Sequence, residues 1–485
     1  MAQVSCLSSG LQESSLVLLK SCGRKVIMGN AQSGSGEAPK GEEDAHAWRQ
    51  LIRTMEQDTG TSPRNISVSS GDIPTKLEAR HRDELKRALE RSNRSIHSIT
   101  VGEVSSEAAR LLTEACQDTA HLNELTFTGG HVDDALAKLL AALLRPIWMK
   151  DLGLRSLVLA NQCRNLLTDI GAVAISHSLE DNKSLRTLVL FGTLMGDGAA
   201  KALSGALEHN KTLEVLVFYG KGLSGKGVTS LARYINSGKC HLTELVVGGS
   251  EFNDEDGQAL AHSVASAKED DSNLPLRRFG ILNVSMGDSS VLSLVDLMMC
   301  GLKEVCIFAG RLTDDAVALI ARSAVGLPPE DDILVTRQAE NPVQSLCLAT
   351  SAAGNAALAA FSRMSDAGNV LPICELAFGL ASPQTCDELM LKINSADYPA
   401  PAGNGAAVRE FALRSAAVPE QQFARTTSLG SSPWLWQGYA DNGHQKSGSQ
   451  PPVWRVCATS DVSRYLEEVL FQRLMFRKAL ACMWD

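Results

Sequence analysis

The stretch from Gly220 to Gly227 has the spacing of a phosphate-binding loop, because Gly225 and Lys226 follow the first glycine at the required distance. In such loops the glycine amides surround the phosphates, and a Ser or Thr hydroxyl after the lysine binds magnesium. Gly227 occupies that hydroxyl position, so the magnesium ligand is missing. We therefore interpret Leu223 as a core residue and Gly227 as a small residue at a tight turn, and we expect no cofactor here.

The 12 cysteines could ligate a metal, act as nucleophiles or fill a core. None belongs to a Cys-x-x-Cys pair, and no histidine cluster lies beside them at zinc-finger spacing. Several lie in apolar runs, as in Val305-Cys306-Ile307. We interpret them as buried thiols of a reduced, cytoplasmic protein. The sequence contains no G-x-S-x-G and no H-E-x-x-H motif, so it predicts no catalytic and no metal-binding residue.

The bulk composition excludes some classes of partner. The chain has 485 residues, of which 44% are hydrophobic, and a formal net charge of −9. That length and composition suffice for a large core. Nucleic-acid binding requires a basic surface, so the acidic balance predicts no nucleic-acid partner. No run of about 18 apolar residues occurs, so we expect no transmembrane segment.

A repeated phrase, Leu-x-x-Leu-x-Leu, dominates the middle of the chain. Looser copies open near residues 96, 122, 276, 302, 343, 373 and 408, and clear copies open at Leu154, Leu185, Leu213 and Leu242. The spacings between copies cluster near 28 to 32 residues. The longer step from 302 to 343 contains a stretch rich in proline and acidic residues, 326–342, which we predict to be an exposed loop.

Each unit changes from a strand-like to a helix-like pattern. After Leu213, apolar or small residues recur every four positions at Leu223, Gly227, Leu231 and Ile235, which places them on one helical face. Strands this short cannot bury a core alone, but stacked side by side they form a parallel sheet that helices cover. The predicted fold class is therefore α/β: a solenoid with a parallel concave sheet and convex helices.

The units resemble leucine-rich repeats of the ribonuclease-inhibitor-like subtype, which also occur in NOD-like receptors and the Ran GTPase-activating protein. The runs Asn182-Lys183-Ser184-Leu185 and Asn210-Lys211-Thr212-Leu213 are similar to that subtype's turn into the next strand. The chain departs from the family where an Asn normally follows the strand, since it has Thr193, Lys221, Ser250 and Gly310 there. The resemblance covers about residues 95–415 and implies a horseshoe that binds protein, with GTPase activation as the alternative.

The composition of the chain before and after the repeats predicts further segments. We predict a flexible N-terminal segment at 1–62, a capping segment at 63–95, the solenoid at 96–420, a linker at 421–453 and a C-terminal helical segment at 454–485. The capping segment is expected because an open solenoid end needs a polar-faced lid.

The part of the chain after the repeats contains Trp434, Trp436 and Trp454. Together with Leu466-Glu467 they are similar to the start of a WWE module, which implies binding of ADP-ribose units or of partners in the ubiquitin system. Cys457 stands where such a module usually has a tyrosine, and the chain ends before the module would be complete. The other interpretations are that these tryptophans pack on the solenoid edge or that the C-terminal segment folds back into the concave groove.

The residues between the core leucines of each strand are predicted to point to the concave surface. They form a largely apolar wall, which is a candidate site for a protein partner. The predicted partner-binding residues are Val158, Val189, Phe191, Val215, Val217, Tyr219, Glu244 and Val246. Valine suits any strand, and the 326–342 loop is another candidate surface. The sequence thus predicts a non-enzymatic interaction scaffold, with a GTPase-activating or ubiquitin- or ADP-ribose-linked adaptor as the alternative.

The run from Met28 to Ser33 matches the myristoylation pattern M-G-x-x-x-S. Only a glycine exposed by removal of the initiating methionine can be acylated, so Met1 as the start leaves the motif inert. A start at Met28 would make Gly29 a myristoyl tether. One such chain binds a bilayer only marginally, and the nearby residues 35–44 are acidic rather than basic.

Overall fold

A computed structural model describes residues 40–389, apart from 328–342 and shorter internal gaps, together with residues 411–415 and 454–458. In this part of the chain, helices and strands alternate along the sequence, and the strands form one sheet in which all paired neighbours are parallel. The molecule is therefore a repeat-type α/β solenoid, which confirms the predicted fold class.

The element bounds follow the chain in order. The strands are β1 (Arg64–Val68), β2 (Ile96–Val101), β3 (Glu124–Phe127), β4 (Ser156–Ala160), β5 (Thr187–Gly196), β6 (Val215–Gly222), β7 (Glu244–Gly248), β8 (Arg278–Gly287), β9 (Glu304–Arg311), β10 (Ser345–Gly354), β11 (Ile373–Leu380), β12 (Phe411–Ser415) and β13 (Trp454–Ala458). The helices are α1 (Lys40–Glu56), α2 (Ala79–Arg91), α3 (Ser106–Cys116), α4 (Asp134–Leu144), α5 (Asp169–Asp181), α6 (Asp197–Leu207), α7 (Gly225–Ile235), α8 (Asp254–Asp270), α9 (Val291–Met299), α10 (Asp314–Ala324) and α11 (Asn355–Asp366).

The strands stack in register, which confirms the repeat phase. Strands β1 to β11 follow one another across the sheet in chain order, and β13 and then β12 complete it. Leu188 of β5 lies opposite Leu157 of β4 and Leu216 of β6, and Leu216 lies opposite Leu245 of β7. All four leucines are buried. They meet the apolar faces of the helices in one continuous core that includes Leu223, Leu231 and Ile235.

Two buried asparagines close the turns that the sequence singled out. The Asn182 carboxamide oxygen accepts hydrogen bonds from the Ser184 and Leu185 amides, and its Nδ2 donates to the Leu144 carbonyl. Asn210 repeats this pattern one unit later, since its Nδ2 donates to the Leu179 and Asn182 carbonyls. Each asparagine thus fixes the entry to its own strand and links it to the preceding repeat.

A first-turn aspartate of one helix caps the helix of the next repeat. The Asp197 carboxylate at the start of α6 accepts hydrogen bonds of 2.8 Å from the amide of Ser224, which precedes α7, and from the amide of Gly227 in the first turn of α7. Asp134 of α4 caps α5 in the same way, because its carboxylate accepts hydrogen bonds from the amides of Thr168 and Gly171. A carboxylate is favourable there because helix amides at the N-terminus lack intrahelical partners and carry partial positive charge.

Some described elements lie in the segments that flank the predicted solenoid. Helix α1 lies within the segment predicted to be flexible, because Trp48, Leu51 and Met55 share one face and are buried. Strand β1 extends the sheet one position before the predicted start at 96, and β13 is a strand within the predicted helical segment. The described residues do not include the predicted linker 421–453, residues 459–485 of the predicted C-terminal helical segment, Gly29 or most of the 326–342 loop.

Candidate interaction surface on the sheet

Alternation along each strand separates the sheet into two faces. One face meets the helices in the main core. The other, which we call the distal face, carries a second apolar cluster made of strand residues alone. This face is the predicted concave surface, and its buried members are Val158, Ala160, Val189, Phe191, Val217, Val246, Leu282, Phe308 and Ala349.

The predicted partner-binding residues form continuous rows on the distal face. Val189 of β5 pairs with Val158 of β4 and Val217 of β6, and Val217 pairs with Val246 of β7. In parallel sheets such neighbours are about 4.8 Å apart, so the valines pack side by side. Val215 pairs with Glu244 in a second row. The structure therefore brings together all eight residues that the sequence predicted, across four consecutive strands.

Two aromatic rings stand at the carboxyl end of this wall. The rings of Phe191 and Tyr219 have centroids 5.0 Å apart and planes inclined by 30°. Aromatic pairs at this separation attract each other beyond their contribution to burial. Phe191 is buried and Tyr219 is half-buried. Tyr219 is thus the more accessible of the two aromatic side chains.

Sequence reasoning missed the part of the distal cluster that lies on the later strands β8 to β10. Leu282, Phe308 and Ala349 continue the row of Phe191, and Cys306 pairs with Cys347 in the valine row. The signal was available, because these residues stand at the same positions after Leu276, Leu302 and Val343 as Phe191 does after Leu185. These units match Leu-x-x-Leu-x-Leu less closely, so the prediction was not extended to them.

The distal face differs from expectation in its burial. A free binding surface should leave its side chains accessible, but Val158 is 1% exposed, Val217 is 0% exposed and Phe191 is 6% exposed. Of the predicted residues, Val215 and Tyr219 are half-buried and the others are buried. Neighbours within a row shield a side chain laterally, along the sheet. They do not shield it from the side facing away from the sheet.

A short charged row borders the apolar rows. Arg278 of β8 bridges two glutamates, with Nη1 3.1 Å from Glu244 Oε2 and Nε 3.1 Å from Glu304 Oε1. Partial burial opposes the charge of the guanidinium, but the carboxylates of Glu304 and Glu244 outweigh it and raise the pKa of Arg278. Glu244, a predicted partner-binding residue, is buried in this arrangement. Its described ion-pair partner is a residue of the same sheet.

The Gly220–Gly227 stretch already binds an anion of the chain itself. The amides of Ser224 and Gly227 donate to Asp197, and the Ser224 hydroxyl donates to the same carboxylate at 2.7 Å. A Cβ at Gly227 would lie 2.5 Å from the Leu223 side chain and 2.6 Å from Asp197 Oδ1. Gly227 is therefore needed for packing, as the repeat phase predicted.

Two of the described cysteines, Cys116 and Cys300, lie in settings that disfavour the thiolate. Burial raises the pKa of the Cys116 thiol to about 12 and that of Cys300 to about 11. The thiolate is the reactive form, so both remain protonated near neutral pH. In the described residues, no group of three or more His, Cys, Asp or Glu side chains is arranged to hold a metal ion. None of the described helices is both long and apolar enough to traverse a bilayer.

Comparison with known proteins leaves the family open. No protein-family profile and no curated protein sequence matches the chain. Among solved structures, it is similar to leiomodin-1 actin-binding site 2, with 22% identity over 26% of this chain and 69% of that chain and a TM-score of 0.21. It is also similar to a chain of the yeast Rad7–Elc1 complex, with 13% identity, 72% and 86% coverage and a TM-score of 0.35. These scores are too low to support an inference about function.

Proposed function

We propose that this protein is a non-enzymatic interaction scaffold of the leucine-rich-repeat type, which recognises an apolar polypeptide segment on its distal face. The apolar distal cluster carries the proposal. It is separate from the folding core, spans the strands from β4 to β10 and includes aromatic side chains at one end. The strand residues that face the helices form the core that holds the stacked repeats together. A second apolar row on the opposite face of the sheet is not needed for this and therefore indicates a different role.

The chemistry of the face favours a polypeptide over a small ligand. A row of valines flanked by Phe191 and Tyr219 offers apolar contact along several strands, and the Glu244–Arg278–Glu304 row offers charge at its border. Apolar centres with polar rims are typical of protein interfaces. The asparagine turns at Asn182 and Asn210 support assignment to the ribonuclease-inhibitor-like subtype.

The aromatic pair provides the test. Partners are first identified by proximity labelling with the full chain, and the affinity of a purified partner is then measured by calorimetry. The double variant Phe191→Ala/Tyr219→Ala should lower that affinity by about 30-fold, because aromatic anchors commonly contribute about 2 kcal/mol. The control is Ile170→Ala/Leu292→Ala, which removes two exposed apolar side chains from outside the distal cluster. Equal affinities in both variants, with folding intact, would place the interface elsewhere.

The proposal also excludes turnover. The Ran GTPase-activating protein is a resemblance of fold, and fold does not determine function. We expect the purified protein to leave GTP hydrolysis by small GTPases unchanged and to bind ADP-ribose no better than a Trp454→Ala variant does. Accelerated hydrolysis or Trp454-dependent ADP-ribose binding would refute the scaffold assignment.

A further inference from the structure

The last two strands enter the sheet in reverse order. From β1 to β11, every strand is added beside the previous one in a single direction. The chain then leaves one position empty, adds β12, and returns to fill that position with β13, which pairs with both β11 and β12. Every earlier step to a neighbouring strand moves across the sheet in one direction. The step from β12 to β13 moves in the opposite direction.

The reversed step determines which face the connection crosses. Connections between parallel strands of one sheet are right-handed in about 98% of cases. For a fixed hand, reversing the lateral direction transfers the connection to the opposite face of the sheet. The forward steps cross the face that carries the helices. A right-handed connection between β12 and β13, which comprises residues 416–453, would therefore cross the distal face.

The composition of this connection suits that face. Residues 416–453 contain two acidic residues, Glu420 and Asp441, and two basic residues, Arg425 and Lys446, so the segment is neutral. The apolar residues Phe423, Leu429, Trp434, Leu435, Trp436 and Tyr439 lie between the outer pair of charges. The distal cluster is apolar, and the charged side chains that border it, Glu244, Arg278 and Glu304, form ion pairs with one another. Contact between residues 416–453 and the distal cluster would bury apolar surface without leaving a buried charge unpaired.

The connection is long enough to reach the aromatic pair. Strand β5 lies seven positions from β13 in the sheet, which is about 34 Å at about 4.8 Å per strand. Eighteen residues separate Ser415 from Trp434, and seventeen separate Trp436 from Trp454. Each of these two stretches of chain can span about 55 Å when extended, at about 3.3 Å per residue. The two central tryptophans can therefore lie anywhere from β13 to β5.

The burial of the distal face provides an independent argument. Val158 and Val217 are almost fully buried, although the cluster to which they belong includes no helical residue of the described chain. Phe308, four strands from Phe191 across the sheet, is equally buried. Lateral packing within a row cannot alone account for this burial.

We propose that residues 416–453 bind the distal face of their own chain and place Trp434 and Trp436 against the apolar rows around Phe191, Tyr219 and Phe308. This segment is then an intramolecular ligand with which any protein partner competes. The inference goes beyond the proposed function and does not depend on it, because its test involves no partner.

Photo-crosslinking within the full chain tests the proposal. A benzophenone amino acid replaces Tyr219, and a mixture of isotopically light and heavy protein is irradiated and analysed by peptide mass spectrometry. We expect cross-links from position 219 to peptides of 416–453 within a single isotopic form. The same probe at Ile170, an exposed helix position, should give none. Cross-links only between light and heavy chains would show a second copy on the face, and cross-links to other segments alone would overturn the proposal.

A tryptophan variant provides the second measurement. Trp434→Ser/Trp436→Ser should lower the yield of the 219 cross-link by about tenfold or more, because aromatic anchors dominate such contacts. Ser431→Ala/Ser432→Ala, a matched double change beside them, should leave the yield unchanged. Thermal unfolding and circular dichroism establish that each variant is folded. An unchanged yield in the folded tryptophan variant would contradict the proposed contact.

Discussion

Removal of the Asp197 carboxylate tests the idea that each repeat is capped by its predecessor. Asp197→Ala leaves the Ser224 amide, the Ser224 hydroxyl and the Gly227 amide without their acceptor. The hydroxyl of Ser224, the residue before α7, makes no capping hydrogen bond within its own helix. The variant should therefore uncap α7 and at the same time remove the polar link between α6 and α7.

The structure sets the expected magnitude. Loss of an N-cap side chain typically costs about 0.5–2 kcal/mol, and a hydrogen bond to a charged group contributes about 1.5–3 kcal/mol. Asp197 is only half-buried, so water can partly replace the lost acceptor. We expect the free energy of unfolding to fall by about 2–3 kcal/mol.

Urea unfolding monitored by circular dichroism measures this loss. The control is Asp181→Ala, which removes an exposed carboxylate at the end of α5 and should change the free energy of unfolding by less than about 0.5 kcal/mol. If the two variants unfold at the same urea concentration, the capping argument is refuted.

The same carboxylate predicts a dependence on pH. Although partial burial opposes ionisation, hydrogen bonds from Ser224 and Gly227 and the charge of Lys226 hold the pKa of Asp197 below its usual value. A group whose pKa is lowered by folding stabilises the folded state above its unfolded pKa, about 3.9 for Asp. The difference between wild type and Asp197→Ala should be complete at pH 7 and shrink as the pH falls below about 4.

Three further substitutions test the packing. Leu216→Asp places a carboxylate in the fully buried leucine row and should lower the free energy of unfolding by on the order of 4 kcal/mol; an unchanged melting temperature would contradict the repeat phase. Gly205→Ala adds a methyl group where no atom lies within 4 Å, so it should stabilise α6 by about 0.5–1 kcal/mol. Gly227→Ala should instead destabilise by about 1–3 kcal/mol, because the added Cβ meets Leu223 and Asp197. Urea unfolding of both glycine variants should give opposite signs, and equal shifts would be inconsistent with these contacts.

The sequence predicted the fold well because two short periods report burial directly. Alternation around Leu216 identifies one sheet face, and the four-residue spacing from Leu223 to Ile235 identifies one helix face. Both patterns repeat, so the alignment of several units also predicted the register, which pairs Leu188 with Leu216. The identity of the residues on the distal face followed from the same alternation.

Contacts between distant residues set the limits of that prediction. The burial of Val217 from the side facing away from the sheet is not encoded in its own strand, since a valine there suits an exposed strand equally well. Strand β13 is a five-residue run whose residues are apolar except for Arg455, and such short runs do not distinguish a strand from a helix by periodicity. Its place between β11 and β12 depends on pairing across more than 70 residues of sequence.

The resemblance of Gly220–Gly227 to a phosphate loop has a physical origin. Both structures present the free amides of a helix N-terminus to an anion. In this protein the anion is the Asp197 carboxylate, which accepts hydrogen bonds of 2.7–2.8 Å from the amides of Ser224 and Gly227 and from the Ser224 hydroxyl. These two amides are then not free to bind a phosphate. A phosphate could bind there only by displacing a carboxylate held in place by its own helix, and Gly227 would still provide no hydroxyl for magnesium. The motif is therefore explained by the linkage between repeats.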